Sequence, residues 1–450
     1  MTDQLDYRLA LLVPRSRQIL ASLESGVAAL PSIRIPRWQR PAEQLTRIIE
    51  DKWNIRTIVL DITPGSSRFG PCALLEVLTH NWRYAENGFR EVDPNHIETA
   101  SLSDEEKLHL MSIFEDGDSA PPFSRLGWVD EAQRWIQASV RDHAVEFSNE
   151  IVQFNAGGDF ALVRFGTRQG PAYWLKATGN PNRQEFRITS TLSHCLPQYL
   201  PPLVGKRDDW NAWAMEEVGQ PLCQCFTFQT LERAIVALAA LQRQSIFHIN
   251  SLLDAGSIDR RPAALQTELD ELISFLSEAM NQQTSTKVKR LDGHQLRELQ
   301  VTLDKAYLRL QCLDIPDSLI HGDINPSNIL LSVTRCVFID WNEAYIGNPF
   351  VTFEHLWSHV VRTNQWIEAS APHFRSLYKS QWIELLSESK IDQASAIAPL
   401  LAIAAELHGR GDWLRSSRRF DFHFQGYARS LARQMDRAAR SPGVREALCR

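Results

Sequence analysis

The sequence has few of the features that mark secreted, membrane or zinc-stabilised proteins. It contains 7 cysteines among 450 residues, and they are scattered, without the Cys-x-x-Cys pairs of structural zinc sites. We therefore expect reduced thiols, many of them buried. No stretch of about 18 apolar residues occurs, which argues against a membrane-spanning helix. The first residues also lack the basic and apolar regions of a secretory signal, so we expect a cytoplasmic protein.

An excess of positive charge is also missing. The chain has 48 Lys and Arg against 54 Asp and Glu, a formal net charge of −6. This balance argues against general nucleic-acid binding, which needs a basic face. The hydrophobic fraction of 44% and the charged fraction of 23% are ordinary for a globular protein. At roughly 150 residues per domain, the length corresponds to about three domains.

Three segments of the chain differ in their patterns. Residues 1–135 alternate apolar runs with turn-rich stretches, residues 136–222 read mainly as strands, and residues 223–450 are mostly helical. In the first segment, buried strands are predicted at residues 9–13, 57–61 and 72–77, and helices at residues 41–51 and 104–114. The pattern predicts an α+β domain for residues 1–135.

The second segment contains a predicted meander of three strands, which ends in Tyr173-Trp174-Leu175-Lys176-Ala177. A short helix with Glu185 on it follows, and a last strand ends at Gly219. The third segment begins with a strongly helical pattern at residues 231–241. One island, at residues 318–350, interrupts the helices with short apolar runs and turn-prone polar residues.

The island carries the residues best suited to chemistry. It reads His321-Gly322-Asp323-Ile324-Asn325-Pro326-Ser327-Asn328, followed by Val337-Phe338-Ile339-Asp340-Trp341. An amide oxygen from Asn328 and a carboxylate from Asp340 suit a hard cation such as Mg²⁺. Asp323 would then accept a proton from a hydroxyl group.

This pattern, His-Gly-Asp-x-x-x-x-Asn followed by an apolar run and Asp-Trp, resembles the aminoglycoside phosphotransferase family, which includes choline kinase-like proteins. It corresponds to the catalytic loop and the metal-binding aspartate of protein kinases. The resemblance implies an α+β, protein-kinase-like bilobal fold, with a small β-rich lobe at residues 136–222 and a large helical lobe at residues 223–450. A separate α+β domain, residues 1–135, would precede it.

The resemblance also assigns roles to residues before the island. Lys176 would hold the α- and β-phosphates of ATP, or possibly GTP, and pair with Glu185. Gly157 and Gly158 would lie in a phosphate-covering loop, and the backbone of Glu216 and Val218 would pair with adenine. On the residues alone, other interpretations remain. They are an edge-strand lysine, an exposed glutamate, a Gly-Gly hairpin turn and an ordinary edge strand.

In this family Asp323 would be the catalytic residue, and Asn328 and Asp340 would bind Mg²⁺ between the phosphates. His321 would brace the loop, and Trp341 would pack in the core. The sequence departs from the family at one point. The family often shows Gly-x-Pro-x-x-Asp after Asp-Trp, whereas Thr352 stands in place of the last acid. This change bears on how the segment is braced and on the substrate side.

The sequence predicts an ATP-dependent phosphotransferase that acts on a small-molecule hydroxyl group, with no nucleic-acid or membrane partner. The acceptor could be an aminoglycoside, a sugar or an amino alcohol. The oligomeric state is not predicted. Acidic side chains after Asp340 are candidates for holding a cationic acceptor: Glu343, Glu354, Glu368, Glu384 and Glu388. The alternative is a nucleotide-binding regulatory protein with little turnover, and a protein kinase is disfavoured because no Ala-Pro-Glu motif follows Asp340.

Residues 1–135 are not explained by this resemblance. Their layout is similar to a Nudix-type domain, with residues 47–55 where the metal-binding helix of that family would lie. Ile48 and Lys52 occupy positions that need acids for metal binding, so the sequence predicts loss of pyrophosphate hydrolysis. A general regulatory or packing role is favoured over the Nudix interpretation.

Overall fold

The structure is a computed structural model of the chain. It describes residues 4–24, 27–37, 39–65, 70–79, 88–97, 102–115, 120–140, 144–409 and 417–449. The chain forms two compact units. The first comprises Met1–Phe186 and Pro202–Glu217, and the second comprises Arg187–Pro201 and Val218–Arg450. The first unit therefore includes residues on both sides of the predicted boundary at residue 135.

The first unit contains a seven-stranded sheet built from residues before position 93. Its strands are β1 (Gln4–Val13), β2 (Gln18–Glu24), β3 (Val27–Ala29), β4 (Ser32–Pro36), β5 (Thr57–Thr63), β6 (Cys72–Val77) and β7 (Phe89–Val92). The main order is β3-β2-β1-β6-β5, and β1 pairs parallel with β6. β5 is therefore the last strand at one end of this order. The three strands that the apolar runs predict are confirmed as β1, β5 and β6.

A second, five-stranded sheet of the first unit is antiparallel throughout. Its strands are β8 (Phe147–Asn155), β9 (Ala161–Thr167), β10 (Tyr173–Ala177), β11 (Leu203–Arg207) and β12 (Ala212–Glu216). The order β11-β12-β10-β9-β8 contains the predicted meander as three neighbouring strands. β11 was not predicted, because its short, partly exposed sequence gives no clear alternation.

Three helices pack on the sheets of the first unit. They are α1 (Pro41–Trp53), α2 (Asp104–Phe114) and α3 (Trp128–Ser139). A further helix, α4 (Gln184–Cys195), follows β10, and its first residues belong to this unit. α2 begins with a capping box, in which Ser103 and Glu106 satisfy each other's backbone amides. Proline in the first turn of α1 and left-handed Asn54 after its end fix the limits of that helix. The helices predicted at residues 41–51 and 104–114 are confirmed.

One hydrophobic cluster extends from the segment before residue 136 into the five-stranded sheet. It joins Phe123, Trp128 and Ile136 to Phe165 and Leu175, all buried. Phe123 contacts Trp128 edge to face, with ring centroids 5.2 Å apart. Burial of such aromatic side chains is a main source of stability. The two sheets of the first unit therefore share part of one core.

The second unit is mostly helical. Its helices are α5 (Phe228–Ser245), α6 (Ile249–Asp254), α7 (Pro262–Thr267), α8 (Leu269–Asn281), α9 (Gly293–Leu313), α10 (Pro349–Thr363), α11 (Ala371–Ser380), α12 (Glu388–Gly409), α13 (Phe422–Ala439) and α14 (Pro442–Cys449). Its short strands are β13 (Gln220–Pro221), β14 (Ile258–Asp259), β15 (Ser318–Ile320), β16 (Ile329–Leu331), β17 (Cys336–Phe338) and β18 (Tyr345–Gly347). The predicted α+β class, with a β-rich part before a helical part, is confirmed.

All seven cysteines are unpaired, but the expectation that many are buried is wrong, since only Cys72 is fully buried. Burial raises the pKa of the Cys72 thiol to about 12, which keeps it protonated. The others lie at helix ends, loops and short strands, where solvent reaches them. Within the described residues, no helix combines the length and apolar character that crossing a bilayer requires.

Candidate active site

The loop that carries Asp323 lies between two short buried strands, β15 and β16. The amide of Leu319 in β15 donates to the Ser245 hydroxyl of α5 at 2.9 Å. The amide of Leu222 donates to the carbonyl of Ile329 in β16 at 2.8 Å. Because both strands are fixed by buried hydrogen bonds, the polar loop between them has defined ends.

Within the loop, Asn328 is held against Asp323. The Asn328 Nδ2 group donates to the Asp323 carbonyl at 2.9 Å and to Asp323 Oδ2 at 3.2 Å. The amide of Asn328 donates to the carbonyl of Asn325 at 3.0 Å, which closes the turn around Pro326. Since Nδ2 faces Asp323, the Oδ1 oxygen lies on the opposite side of the Asn328 amide group. Asn328 therefore presents a carbonyl oxygen away from Asp323.

The segment before Asp340 is bound to the same loop. The amide of Ile339 donates to the Asn328 carbonyl at 3.1 Å. The carbonyl of Ile339 lies 2.7 Å from His321 Nε2. Asp340 itself has a φ of 70°, in the left-handed region where Asp and Asn are tolerated better than most residues. These bonds bring Asp340 next to Asn328, although twelve positions separate them in the sequence.

The buried side chains around the loop have structural positions. His321 is 1% exposed and its ring lies 4.5 Å from that of Trp341, measured between centroids. Trp341 is also 1% exposed and donates from its indole nitrogen to the Phe338 carbonyl at 3.2 Å. The expected core position of Trp341 is confirmed. The contacts of His321 fit the bracing role that the sequence suggested for it.

Gly322 sits where no other residue fits. Its φ is 79°, and a Cβ atom at this position would lie 2.1 Å from the carbonyl oxygen of Glu343. The obstructing atom belongs to the backbone, so a side-chain movement does not relieve the clash. The glycine of the His-Gly-Asp motif therefore lets the chain cross closely over residue 343.

We expect Gly322→Ala to destabilise the second unit by about 3 kcal/mol or more, because backbone strain and a steric clash act together. Chemical denaturation of the purified variant measures this loss. Gly443→Ala in α14 is the matched control, since a Cβ there meets nothing within 4 Å. The control should be neutral or slightly stabilising, because alanine favours a helix over glycine. Equal stability of the two variants would contradict the close crossing.

The segment with Thr352 is braced without an acid at that position. Thr352 is fully buried, and its hydroxyl has no hydrogen-bond partner among the described residues. Instead, the Asn348 side chain caps α10 by accepting from the amide of Phe350 at 3.1 Å. The carbonyl of Pro349 accepts from the Tyr378 hydroxyl at 2.9 Å and from the side chain of Gln242 at 3.2 Å. A cap and a buried polar network therefore fix this turn.

Sequence reasoning missed the residues of this network. Gln242 is completely buried on α5, and its Oε1 lies 2.7 Å from the Tyr378 hydroxyl oxygen, whose one proton it shares with the Pro349 carbonyl. The available signal was a polar residue at helical spacing among Leu238 and Leu241. This pattern does not reveal the partner, which lies 136 positions away.

In the first unit, Lys176 and Glu185 form a shielded ion pair. Nζ of Lys176 on β10 lies 2.5 Å from Oε1 of Glu185 on α4. The side chains are 16% and 2% exposed. The ammonium group also lies 5.7 Å from the centre of the Trp213 ring. The structure thus brings together the lysine and the glutamate that the resemblance pairs.

The turn with Gly157 and Gly158 connects β8 to β9, one hairpin before Lys176. The amide of Phe160 donates to the Gly157 carbonyl at 3.1 Å, which closes the turn. Gly157 has a φ of 153°. A Cβ atom on Gly179, which follows the Lys176 strand, would lie 2.5 Å from Cβ of Asp159. The turn therefore lies against the end of the strand that carries Lys176.

Glu216 ends β12, and its neighbour fixes the direction of the chain there. The amide of Glu216 donates to the Pro202 carbonyl at 3.0 Å, and the amide of Glu217 donates to the Ala172 carbonyl at 2.9 Å. The Glu217 carboxylate pairs with Arg164 at 2.7 Å, and this guanidinium holds the pKa of Glu217 below its ordinary value. Val218 comes directly after this anchored pair.

Two of the candidate acids for an acceptor are already paired. Glu354 forms a bidentate pair with Arg375, with Nη2 and Oε2 2.8 Å apart, and Glu384 pairs with Arg243 at 2.5 Å. Burial raises the pKa of Glu354 above its ordinary value, and Arg375 opposes this rise. Glu354 is therefore held in a mostly buried ion pair, whereas the pair of Glu384 lies at the surface.

A histidine that sequence reasoning missed lies within electrostatic reach of Asp323. Burial lowers the pKa of His359 on α10, and the carboxylates of Asp323 and Glu406 oppose the shift. His359 is half-buried. The neighbourhood of Asp323 is therefore lined by a side chain that is mostly neutral at pH 7, since a lowered pKa favours the neutral ring.

Residues 227–385 match the model of the phosphotransferase enzyme family. The predicted family resemblance is confirmed. The matched segment begins at the cap of α5 and contains the loop with Asp323 and Asn328, and Asp340 after it. The match supports a phosphotransferase activity for the chain. Residues before position 227 lie outside it, so the roles of Lys176 and the glycine turn stay predictions.

Several solved structures are similar to the chain at low sequence identity. A choline/ethanolamine kinase family protein from Mesorhizobium loti is 13% identical, with 71% of this chain and 98% of that chain covered and a TM-score of 0.45. The ethanolamine kinase of Plasmodium vivax is 14% identical, with 77% of this chain and 92% of that chain covered and a TM-score of 0.45. An aminoglycoside phosphotransferase from Alicyclobacillus acidocaldarius is 14% identical, with 66% of this chain and 93% of that chain covered and a TM-score of 0.40. No curated protein sequence matches the chain significantly.

Proposed function

We propose that the protein is an ATP-dependent phosphotransferase that moves the γ-phosphoryl group of Mg·ATP to the hydroxyl group of a small molecule. The observation that carries this proposal is the bonded set of Asp323, Asn328 and Ile339-Asp340. Two hydrogen bonds from Asn328 Nδ2 to Asp323 and one from Ile339 to Asn328 hold a carboxylate, an amide oxygen and a second carboxylate together. Such a set performs phosphoryl transfer mainly by positioning and electrostatics.

Asp323 orients the acceptor hydroxyl and accepts its proton as the bond to phosphorus forms. The Asn328 and Asn325 side chains donate to its carboxylate at 3.2 and 3.3 Å. These bonds restrain the carboxylate in one orientation. A restrained base needs little reorganisation when the acceptor arrives, which is the main advantage of a preorganised site.

Asn328 and Asp340 would hold the magnesium ion. The fit is supported by the orientation of Asn328, whose amide oxygen points away from Asp323, and by the hard oxygen character of both ligands. When bound, Mg²⁺ offsets charge on the phosphate oxygens. The backbone of Asp340 is left-handed, a conformation that few residues other than glycine, Asn and Asp adopt without strain.

Lys176 would hold the α- and β-phosphates, and Glu185 would keep its ammonium group in place. A lysine with 16% side-chain exposure needs an anion nearby, and the Glu185 carboxylate supplies that anion. The Gly157–Gly158 turn would cover the phosphates with backbone amides. The carbonyl of Glu216 and the amide of Val218 would pair with the base of ATP, or of GTP.

The proposed acceptor is a small molecule with a free hydroxyl group. An aminoglycoside, a sugar or an amino alcohol each offers a hydroxyl group to Asp323. A cytoplasmic location and a small-molecule partner, without nucleic acid or membrane, are part of the proposal. The alternative is a nucleotide-binding regulatory protein, in which the same residues bind Mg·ATP with little turnover.

A screen for acceptor-dependent formation of ADP or GDP tests the proposal. Mg·ATP and, separately, Mg·GTP are incubated with the protein and a panel of aminoglycosides, sugars and amino alcohols. We expect formation of the nucleoside diphosphate to rise well above the no-acceptor rate with at least one class of acceptor. Tight Mg·ATP binding without stimulation by any acceptor would instead favour the regulatory alternative.

A further inference from the structure

The strand that leads into the glycine turn is bonded to the segment before residue 136. Gln153 on β8 is 2% exposed. Its Oε1 accepts from the amide of Val59 at 2.7 Å, and its Nε2 donates to the carbonyl of Val59 at 2.8 Å. The two residues are 94 positions apart. Because β5 is the last of the described strands at one end of its sheet, the Gln153 side chain satisfies backbone groups that face outward from that end.

The turn itself contacts the same segment on two sides. Ala156 packs against the cluster formed by α1 and the seven-stranded sheet. The Gly158 carbonyl accepts from the amide of Phe123 at 3.1 Å. A Cβ atom on Gly158 would lie 2.6 Å from Cβ of Pro121, which leaves no room for a side chain. The turn is therefore held against Pro121 and Phe123 and does not extend freely into solvent.

The residues that contact the turn are themselves fixed. Phe123 is 2% exposed, and its ring lies 5.2 Å from Trp128 and 5.3 Å from Trp210. The Ser124 hydroxyl donates to the Leu60 carbonyl at 3.4 Å. Movement of residues 121–124 would break into the core that the two sheets share. Residues 121–124, which hold the turn, are consequently as rigid as that core.

We propose that the described residues between positions 4 and 140 act as a fixed support that positions the Gly157–Gly158 turn for the phosphates of the nucleotide. This inference rests on the proposed function, in which that turn covers the phosphates. The support acts through three contacts: Gln153 with Val59, Ala156 with the α1 cluster, and Gly158 with Pro121 and Phe123. The support is therefore a positioning element for nucleotide binding, even though it holds none of the proposed catalytic residues.

The contacts explain why the support matters for binding. A glycine turn without neighbours samples many backbone conformations, and ordering it on a ligand costs conformational entropy. A turn that is already held in place loses less entropy when the nucleotide arrives, so its affinity is higher. Removing the support should weaken nucleotide binding without changing the affinity for the acceptor.

The first test introduces a clash and then removes it. Gly158→Ala should raise the dissociation constant of Mg·ADP about tenfold, since small displacements of positioning groups have large effects. The double variant Gly158→Ala with Pro121→Gly removes the obstructing atoms and should restore most of the affinity. Pro121→Gly alone is the control for the loss of proline. Calorimetry on the full chain measures each affinity.

The second test removes a buried hydrogen bond. Gln153→Leu leaves the amide and carbonyl of Val59 unpaired, and it should raise both the Mg·ADP dissociation constant and the hydrogen exchange of residues 155–161. Gln137→Leu is the matched control, because Gln137 donates one bond to the Val145 carbonyl at 3.0 Å, away from the turn. It should leave both measurements unchanged.

The outcomes separate this inference from the proposed function. Wild-type binding of Mg·ADP with no phosphorylated acceptor would overturn the proposed function and leave the support intact. Unchanged Mg·ADP affinity in both Gly158→Ala and Gln153→Leu would overturn the support. Failure of Pro121→Gly to restore binding to the alanine variant would show that the contact between Gly158 and Pro121 does not position the turn. A wild-type chain that binds no Mg·ADP would overturn both proposals.

Discussion

Replacing Asp323 by asparagine is expected to lower kcat by about 10³-fold, because a positioned general base contributes about 10²–10⁴-fold. The substitution keeps the size of the side chain and removes its ability to accept a proton. Asn325 and Asn328 donate to different oxygens of this carboxylate, so the asparagine amide keeps only one of these two bonds. The bond from Asn328 to the backbone carbonyl of residue 323 does not depend on the side chain. The loop should therefore keep its shape, and only the proton transfer should be lost.

Two measurements on this variant distinguish chemistry from folding. The affinity for Mg·ADP should stay within a factor of about three of wild type, since Asp323 makes no proposed contact with the nucleotide. Asp314→Asn is the control, because Asp314 is an exposed acid at the end of α9, outside the loop. It should keep full activity. Loss of nucleotide binding together with turnover in Asp323→Asn would assign Asp323 a structural role instead.

Replacing Asp340 by asparagine is expected to lower kcat/KM for Mg·ATP by about three orders of magnitude. A bound metal supplies several kcal/mol of charge stabilisation, and each factor of ten corresponds to about 1.4 kcal/mol. Asparagine is a better choice than alanine at this position. The backbone of Asp340 is left-handed, with φ of 70°, and asparagine tolerates that region whereas alanine does not.

The matched control again is Asp314→Asn, since Asp314 is also left-handed, with φ of 51°. Both substitutions remove one charge from the same kind of backbone position. Titration with Mg²⁺ at fixed ATP should show a raised requirement for metal in the Asp340 variant only. An unchanged magnesium dependence would remove Asp340 from the metal site.

The candidate catalytic loop was predictable from the sequence because its information is local. Short apolar runs on either side of residues 321–328 predict buried strand ends, and the spacing of Asp323 and Asn328 places both in one turn. Strands and helices with strong periodicity, such as β1 and α5, were predictable for the same reason. The structure adds the bond from Ile339 to Asn328, which explains how Asp340 reaches the loop.

The supports of the site were not predictable, because each depends on a pair of residues far apart in the chain. Gln153 and Val59 meet 94 positions apart, and Tyr378 and Gln242 meet 136 positions apart. A single buried glutamine inside a strand or helix pattern does not show which backbone it will satisfy. The same holds for Gly322, whose need for glycine arises from its close approach to Glu343.

The shared core of the first unit was also beyond the sequence patterns. Apolar periodicity shows which face of α3 is buried, but not that the face packs on the five-stranded sheet. For the cysteines, a general tendency leads to a wrong prediction of burial. Cysteine is buried in many proteins, yet six of the seven here are partly or fully exposed, since they lie in short or terminal elements.

The fate of the γ-phosphoryl group tests the central claim most directly. The protein is incubated with γ-labelled Mg·ATP and the best acceptor from the panel, and the label is followed by mass spectrometry and by gel. The account predicts label on the acceptor hydroxyl with wild type and almost none with Asp323→Asn. Label on the protein or on no product, despite tight Mg·ATP binding, would contradict the account.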